Sequence, residues 1–351
     1  MDLVAHLKEL TMATGLSGYE GDVRSLVQKA WDPLVDAFET DALGNLMALK
    51  RGEPAEGTPR RAIMLAAHMD EIGLMVTGYE GGFLRFTRVG GVDLRTVLGQ
   101  EVTVHGRREL IGVISSRPPH VLGEQERRTA VPTDKLFIDT GLTAEEVPHL
   151  VQVGDLVSMR RETIALAEGY LSGKAMDDRA GVATLTVCLQ ELSRLRHGWD
   201  VYAVATTQEE LGLRGAIVSA YHTAPDAAIA VDVGFGAQVG VSDDESVEMD
   251  GGPAIAMGPN IHPSIYELLV QTAKEHEIKY QVEVAAGQTG TDAWAIQVAR
   301  EGVPTGLLSV PLRYMHTSVE TVCLRDIQRT GRLMARAIVA LDSADVSAPM
   351  L

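Results

Sequence analysis

Five side chains able to ligate a metal, His68, Asp177, Glu210, Asp232 and His316, are dispersed along the chain, and most of them close an apolar, strand-like run. Imidazole nitrogens and carboxylate oxygens, with no thiolate among them, suit Zn²⁺ or Co²⁺ better than a structural cysteine site would. Two histidines and three carboxylates can hold two ions with one ligand shared, and ions about 3.5–4 Å apart can bind and activate a bridging water. Glu209, directly before Glu210, adds a spare carboxylate as a candidate general base. The chemistry this pattern points to is hydrolysis.

Each candidate has a local context. His68 and Asp70 are two apart, so on extended chain they face the same side, and the carboxylate can accept the imidazole proton and fix which ring nitrogen faces a metal. In GKAMDDRAG, two adjacent aspartates sit between a glycine turn and a helix expected from near Ala180. One can cap the helix while Asp177 reaches outward. The run VYAVATTQEELG delivers Glu209 and Glu210 to the carboxyl end of a buried strand. Adjacent carboxylates repel unless positive charge sits nearby, and neighbouring strand residues diverge, so the two acids have different tasks. AAIAVDVG ends a strand at Asp232, and LLSVPLRYMHTSVE carries His316. Taken singly, these signals have plainer readings: His68 as a strand cap, the aspartate pair as a helix cap, the glutamate pair as an exposed acidic turn. Of the other histidines, His6, His197, His222 and His276 read as surface residues, and His105, His120 and His149 belong to a β-rich segment. His262 is a candidate cleft residue, and Asp292 in GTDA reads equally as a cleft residue or a helix cap.

Bringing such distant residues together requires strands whose carboxyl ends converge on one crevice, as in an open α/β sheet. The sequence supplies them. Two helices joined by GLSGYEG are followed by strand-like runs in NLMALK and AIMLAAHMDEIGLMV. Beyond residue 165, helical patterns near 180–195, 215–222, 264–276 and 324–340 alternate with strands WDVYAVATT and AAIAVDV, which implies a mixed sheet covered by helices. Between them, residues 73–164 carry short β-rich pieces separated by glycine and charged turns, the mark of a small inserted β-barrel. Within that insert, SRPPHVLGEQERRTAVPTD reads as a loop. The expected division is a discontinuous catalytic domain, 1–72 with 165–351, and an inserted domain, 73–164.

Composition narrows the function further. Hydrophobic residues make up 45% and charged residues 23% of the 351, ordinary usage for a chain with a real core. With 48 acidic against 31 basic side chains, the formal charge of −17 repels phosphate backbones and anionic membranes, so neither nucleic acid nor membrane is an expected partner. The first residues lack a basic segment followed by a continuous apolar one, and no run reaches membrane-spanning length, so a cytoplasmic location is expected. Cys188 and Cys323, with no CxxC, read as buried reduced thiols.

In order along the chain, HMDEIG, GKAMDDRAG, QEELG, VDVG, GTDA and YMHTSVE together resemble the M42 family of dinuclear metallo-aminopeptidases. The likeness extends from the opening TGLSGYEG through PPH in the insert. It implies a phosphorylase/hydrolase-like α/β catalytic domain with an inserted PDZ-like or β-barrel dimerisation domain. Carried over, Asp177 bridges two divalent ions, zinc or cobalt, with His68 and Asp232 completing one and Glu210 and His316 the other. Glu209 is then the general base, Asp70 stands behind His68, and the Asp177–Asp178 peptide is cis. The resemblance also implies peptide substrates and homo-oligomers in which dimers build a tetrahedral dodecamer. Competing readings are a metal-dependent deacylase or a glycosidase on the same fold, and a non-catalytic assembly protein.

Overall fold

The computed structural model describes residues 1–346. Helices α1 (Leu3–Met12) and α2 (Gly21–Trp31) lead into strands β1 (Ala37–Thr40), β2 (Leu46–Lys50) and β3 (Ala62–His68). The chain then forms β4 (Gly73–Glu80), β5 (Phe83–Val89), β6 (Glu101–His105), β7 (Glu109–Ser115), β8 (Phe137–Asp139), the short helix α3 (Val147–Leu150) and β9 (Leu156–Met159). It continues through β10 (Ile164–Ala165), β11 (Tyr170–Gly173), α4 (Met176–Leu192), β12 (Asp200–Thr206), α5 (Arg214–Thr223) and β13 (Ala227–Phe235). Last come β14 (Ala254–Met257), α6 (Pro263–Glu275), β15 (Gln281–Val284), α7 (Asp292–Ile296), β16 (Thr305–Arg313), β17 (Glu320–Cys323) and α8 (Leu324–Ala340).

Eleven strands form one mixed sheet in the order β1-β2-β12-β3-β13-β16-β17-β11-β10, with β14 joined to β16 and β15 to β14. Its centre, β12-β3-β13-β16, is parallel. These strands are nearly continuous apolar runs because both faces are covered. Alternation sorts their side chains: Ile63, Leu65 and Ala67 of β3 join the core packed under α1, α2, α4, α6 and α8. Met64 and Ala66 join the core under α5 and α7.

Strands β4-β5-β8-β7-β6-β9 close a six-stranded barrel. Alternation again decides the inside: Val102 and Val104, with Leu110 and Ile114, fill its separate core, whereas Ile111 and Val113 of β7 point outward and are exposed. The segment 116–134 is exposed and carries short 3₁₀ turns, in keeping with a Pro-rich, charged loop.

Cys188 and Cys323 are free and buried, as expected. The sequence reading needs correction at two histidines placed on the surface: His6 and His197 are both buried. His6 lies on the same helical stripe as Leu3, Leu7 and Leu10, and its Nε2 meets Thr186 Oγ1 at 3.1 Å. His197 turns Nδ1 to the Trp199 carbonyl at 2.8 Å. Strands β1, β14 and β15 are too short for periodicity to announce. No helix among the described residues is long and apolar enough to cross a membrane.

Candidate metal centre

Four parallel strands aim their carboxyl ends at one crevice. His68 is the last residue of β3 and pairs in register with Thr206, the last of β12, after which the chain turns through Glu209 and Glu210. Asp232 lies in β13 opposite Ser309 of β16, and the loop after β16 returns His316. Asp177 and Asp178 enter at the start of α4, and the peptide between them is cis.

The five candidate ligands meet around Asp177. Its Oδ1 lies 3.0 Å from His68 Nε2 and its Oδ2 lies 3.4 Å from His316 Nε2. His316 Nε2 is 3.5 Å from Glu210 Oε1, and His68 Nε2 is 4.0 Å from Asp232 Oδ1. Ligands about 2.0–2.2 Å from a tetrahedral cation stand roughly 3.3–3.6 Å from one another, and these separations straddle that range, so the donor set can hold a metal ion. Two compact groups can be drawn, His68–Asp177–Glu210 and His68–Asp178–Asp232. Between the two aspartates, hydrogen bonding favours Asp177. Asp178 is already committed, with Oδ1 accepting the Gly181 N–H at 2.9 Å and Oδ2 the His68 N–H at 3.3 Å.

Both imidazoles are oriented from behind. His68 Nδ1 faces the Asp70 carbonyl at 3.2 Å and the Asp70 carboxylate at 3.4 Å, leaving Nε2 toward the crevice. His316 donates from Nδ1 to the Gly91 carbonyl at 3.1 Å, so a residue beside the barrel sets this ring. Gly91 must be glycine, because a Cβ there would stand 2.6 Å from His316 Nδ1. His316 itself holds a left-handed φ of 61°, an uncommon state for a residue with a side chain and one that concentrates at functional sites. Glu320 ties the two halves together: its oxygens accept the backbone N–H groups of His316 at 2.8 Å and Asp177 at 3.1 Å.

Electrostatics follow from packing many acids into a buried space. Burial, reinforced by neighbouring carboxylates, pushes Glu209 up to about 10 and Glu210 up to about 7. Burial likewise drives Asp232, Asp178 and Glu320 well above the carboxylate range. Asp177 moves the other way: burial opposes its charge, but hydrogen bonds from His316 and His68 outweigh it. His316 rises to about 9, chiefly through its hydrogen bond with Asp177. A protein that gathers this many carboxylates with only two imidazoles among them fits a site completed by cations, whose charge reverses the local balance.

The model of the M42 glutamyl aminopeptidase family matches residues 44–333. The chain belongs to that family. A relative, the lysyl aminopeptidase of Pyrococcus furiosus, is 33% identical, with 97% of each chain covered. An aminopeptidase from the archaeon Desulfurococcus kamchatkensis is similar in structure at a TM-score of 0.88 and 39% identity, covering 96% of this chain and 94% of that one. The TET1 peptidase of Pyrococcus horikoshii, which can assemble into a tetrahedron or a large octahedral shell, is similar at a TM-score of 0.82 and 33% identity, covering 96% and 99%.

Sequence reasoning passed over several residues that build this M42 site. Glu320 closes YMHTSVE, where no local pattern gives it a role. Ser17, whose hydroxyl donates to Asp70 at 2.6 Å, lay in TGLSGYEG. Beneath the crevice, Glu71 and Lys174 form a buried ion pair at 2.6 Å, with Arg179 close by. Asp292 is neither the cap nor a lining residue: Thr291 is the N-cap of α7 and lines the cleft, whereas Asp292, the first residue of the helix, is buried and accepts from Thr206 Oγ1 at 2.6 Å. His262 is buried at the start of α6, away from the cleft-lining residues.

Proposed function

We propose that this M42 protein is a metal-dependent aminopeptidase, removing residues from the N-terminus of peptides with Glu209 as general base. The observation that carries the reading is the state of Glu209. Its carboxylate lines the cleft, is buried, stands outside both candidate ligand groups and accepts no hydrogen bond among the described residues. A buried acid that neither caps nor pairs, beside a set of metal ligands, is available for proton transfer.

Two divalent cations, zinc or cobalt, held by His68, Asp177, Asp232, Glu210 and His316, would supply Lewis-acid polarisation and a water acidic enough to react near neutral pH. Glu209 takes the proton from the attacking water and returns it to the departing amine. Asp70 fixes the backbone of Glu209 and the ring of His68. Bound cations would lower the proton affinity of Glu209, which burial and neighbouring carboxylates otherwise raise.

The barrel over 73–164 is the natural assembly domain in this proposal, since β7 exposes Ile111 and Val113 and the P. horikoshii relative forms closed shells. The same reading makes the working form a homo-oligomer in the cytoplasm acting on peptides, with no part for nucleic acid or membranes. Hydrolysis of aminoacyl chromogenic substrates by metal-loaded protein, abolished by a chelator and restored by Zn²⁺ or Co²⁺, tests the activity. Hydrolysis of a glycosidic substrate that survives the chelator would replace it with the glycosidase reading.

A further inference from the structure

The cleft in front of the ligands has a volume of about 810 Å³ and extends well past the metal centre. Its far walls are largely apolar, with Leu213, Ile217, Phe235, Trp294 and Val298 among the lining residues. Among the described residues, no lysine or arginine lines it. One carboxylate beyond the ligands and Glu209 does: Glu283, half-buried on β15. Its Oε2 accepts the Ser309 hydroxyl at 2.6 Å. No cation pairs with it, and Oε1 accepts no hydrogen bond among the described residues.

The position of Glu283 relative to the ligands follows from the strands. Asp232 and Gly234 are two apart on β13, so they face the same side about 6–7 Å from each other. A Cβ on Gly234 would stand 3.7 Å from Glu283 Oε2 and 2.9 Å from Ser309 Cβ. Glycine therefore keeps open the space between the ligand Asp232 and the Glu283 carboxylate. A group held at the metal centre has, one strand repeat away, a free carboxylate oxygen reached past apolar walls. That suits a long aliphatic stem ending in a cation, and it offers an acidic side chain no partner.

We infer that Glu283 makes the cleft selective for a basic N-terminal residue, lysine or arginine, in the substrate. This rests on the aminopeptidase reading and assigns its side-chain preference. Bound cations would engage the carboxylates that ligate them, whereas Glu283 stands outside the ligand set and has Oε1 left for the substrate. A charge-assisted hydrogen bond at a half-exposed site corresponds to about a tenfold preference over an uncharged side chain of the same length.

The test compares kcat/KM for lysyl, norleucyl, leucyl and glutamyl chromogenic substrates with metal-loaded wild-type protein and Glu283→Gln, which still offers Ser309 an acceptor. Wild type is expected to favour lysyl over norleucyl by about tenfold and to turn over glutamyl least. Glu283→Gln should bring the lysyl-to-norleucyl ratio to about one while norleucyl turnover stays within about twofold. A wild-type ratio near one, a glutamyl preference, or a lysyl preference that survives in Glu283→Gln would overturn the inference alone. Failure to hydrolyse any member of the panel would overturn the aminopeptidase reading and the inference with it.

Discussion

Asp70 accepts the backbone N–H of Glu209 through Oδ1 at 3.0 Å. Its other oxygen accepts the N–H of Glu210 at 3.2 Å and the hydroxyl of Ser17 at 2.6 Å, while Oδ1 also faces His68 Nδ1 at 3.4 Å. One carboxylate thus sets the turn carrying the candidate base and a ligand, together with the ring of a second ligand. It is completely buried, which opposes its charge, yet the hydrogen bond and charge of His68 hold it below the ordinary aspartate value.

Replacing that acceptor should loosen the whole arrangement. Asp70→Asn puts an NH₂ group where a carboxylate oxygen accepts N–H groups, so two donors are turned against each other. Outer-shell changes of this kind cost about 10–100-fold in metal affinity or activity. Chelator competition should show weaker metal binding in the variant, with turnover reduced even at saturating metal.

Glu209→Gln separates proton transfer from metal binding. The five ligands are untouched, so elemental analysis should find the wild-type metal content. Loss of a general base lowers kcat by about 10²–10⁴-fold. Near-normal turnover in the metal-replete variant would remove Glu209 from the mechanism.

Metal binding should depend on pH with a definite sign. Without a cation, His316 holds its proton up to about 9, chiefly because it hydrogen-bonds Asp177. A cation at Nε2 must displace that proton, so binding releases protons below pH 9 and apparent affinity falls as pH is lowered. Calorimetry in two buffers of different ionisation enthalpy counts the protons. Release at pH 7.5 is expected, together with weaker binding at pH 6.5 than at pH 8.5.

The ion pair beneath the site should matter for stability rather than chemistry. Lys174 and Glu71 are almost fully buried, and Glu71 also accepts the Gly15 N–H at 3.0 Å. Lys174→Met leaves the Glu71 charge with only Arg179 nearby, at 3.9 Å. Removing one member of a buried pair costs about 3–5 kcal/mol, and the Arg179 charge places the expected loss near about 3 kcal/mol. Urea denaturation monitored by tryptophan fluorescence measures it.

What could be read from the sequence was what leaves a periodic trace. His68 and Asp232 stood out because unbroken apolar runs lead up to them, and those runs are the central parallel strands. The barrel announced itself through short alternating segments such as EVTVH and ELIGVIS. Glu320 did not, because it earns its place by accepting two backbone N–H groups from distant parts of the chain, which no local pattern encodes. Glu71 and Lys174, 103 positions apart, are hidden for the same reason. His6 was different: it sits on the Leu3–Leu7–Leu10 stripe, and counting it as polar concealed a position the helical period assigns to the core.

The central claim is that Asp177 lies between two cations. Anomalous diffraction at the zinc absorption edge from zinc-loaded crystals tests it most directly. Two peaks about 3.5–4 Å apart, one on each side of the Asp177 carboxylate toward His68 and His316, are the expected result. A single peak, or zinc bound away from Asp177, would contradict the account.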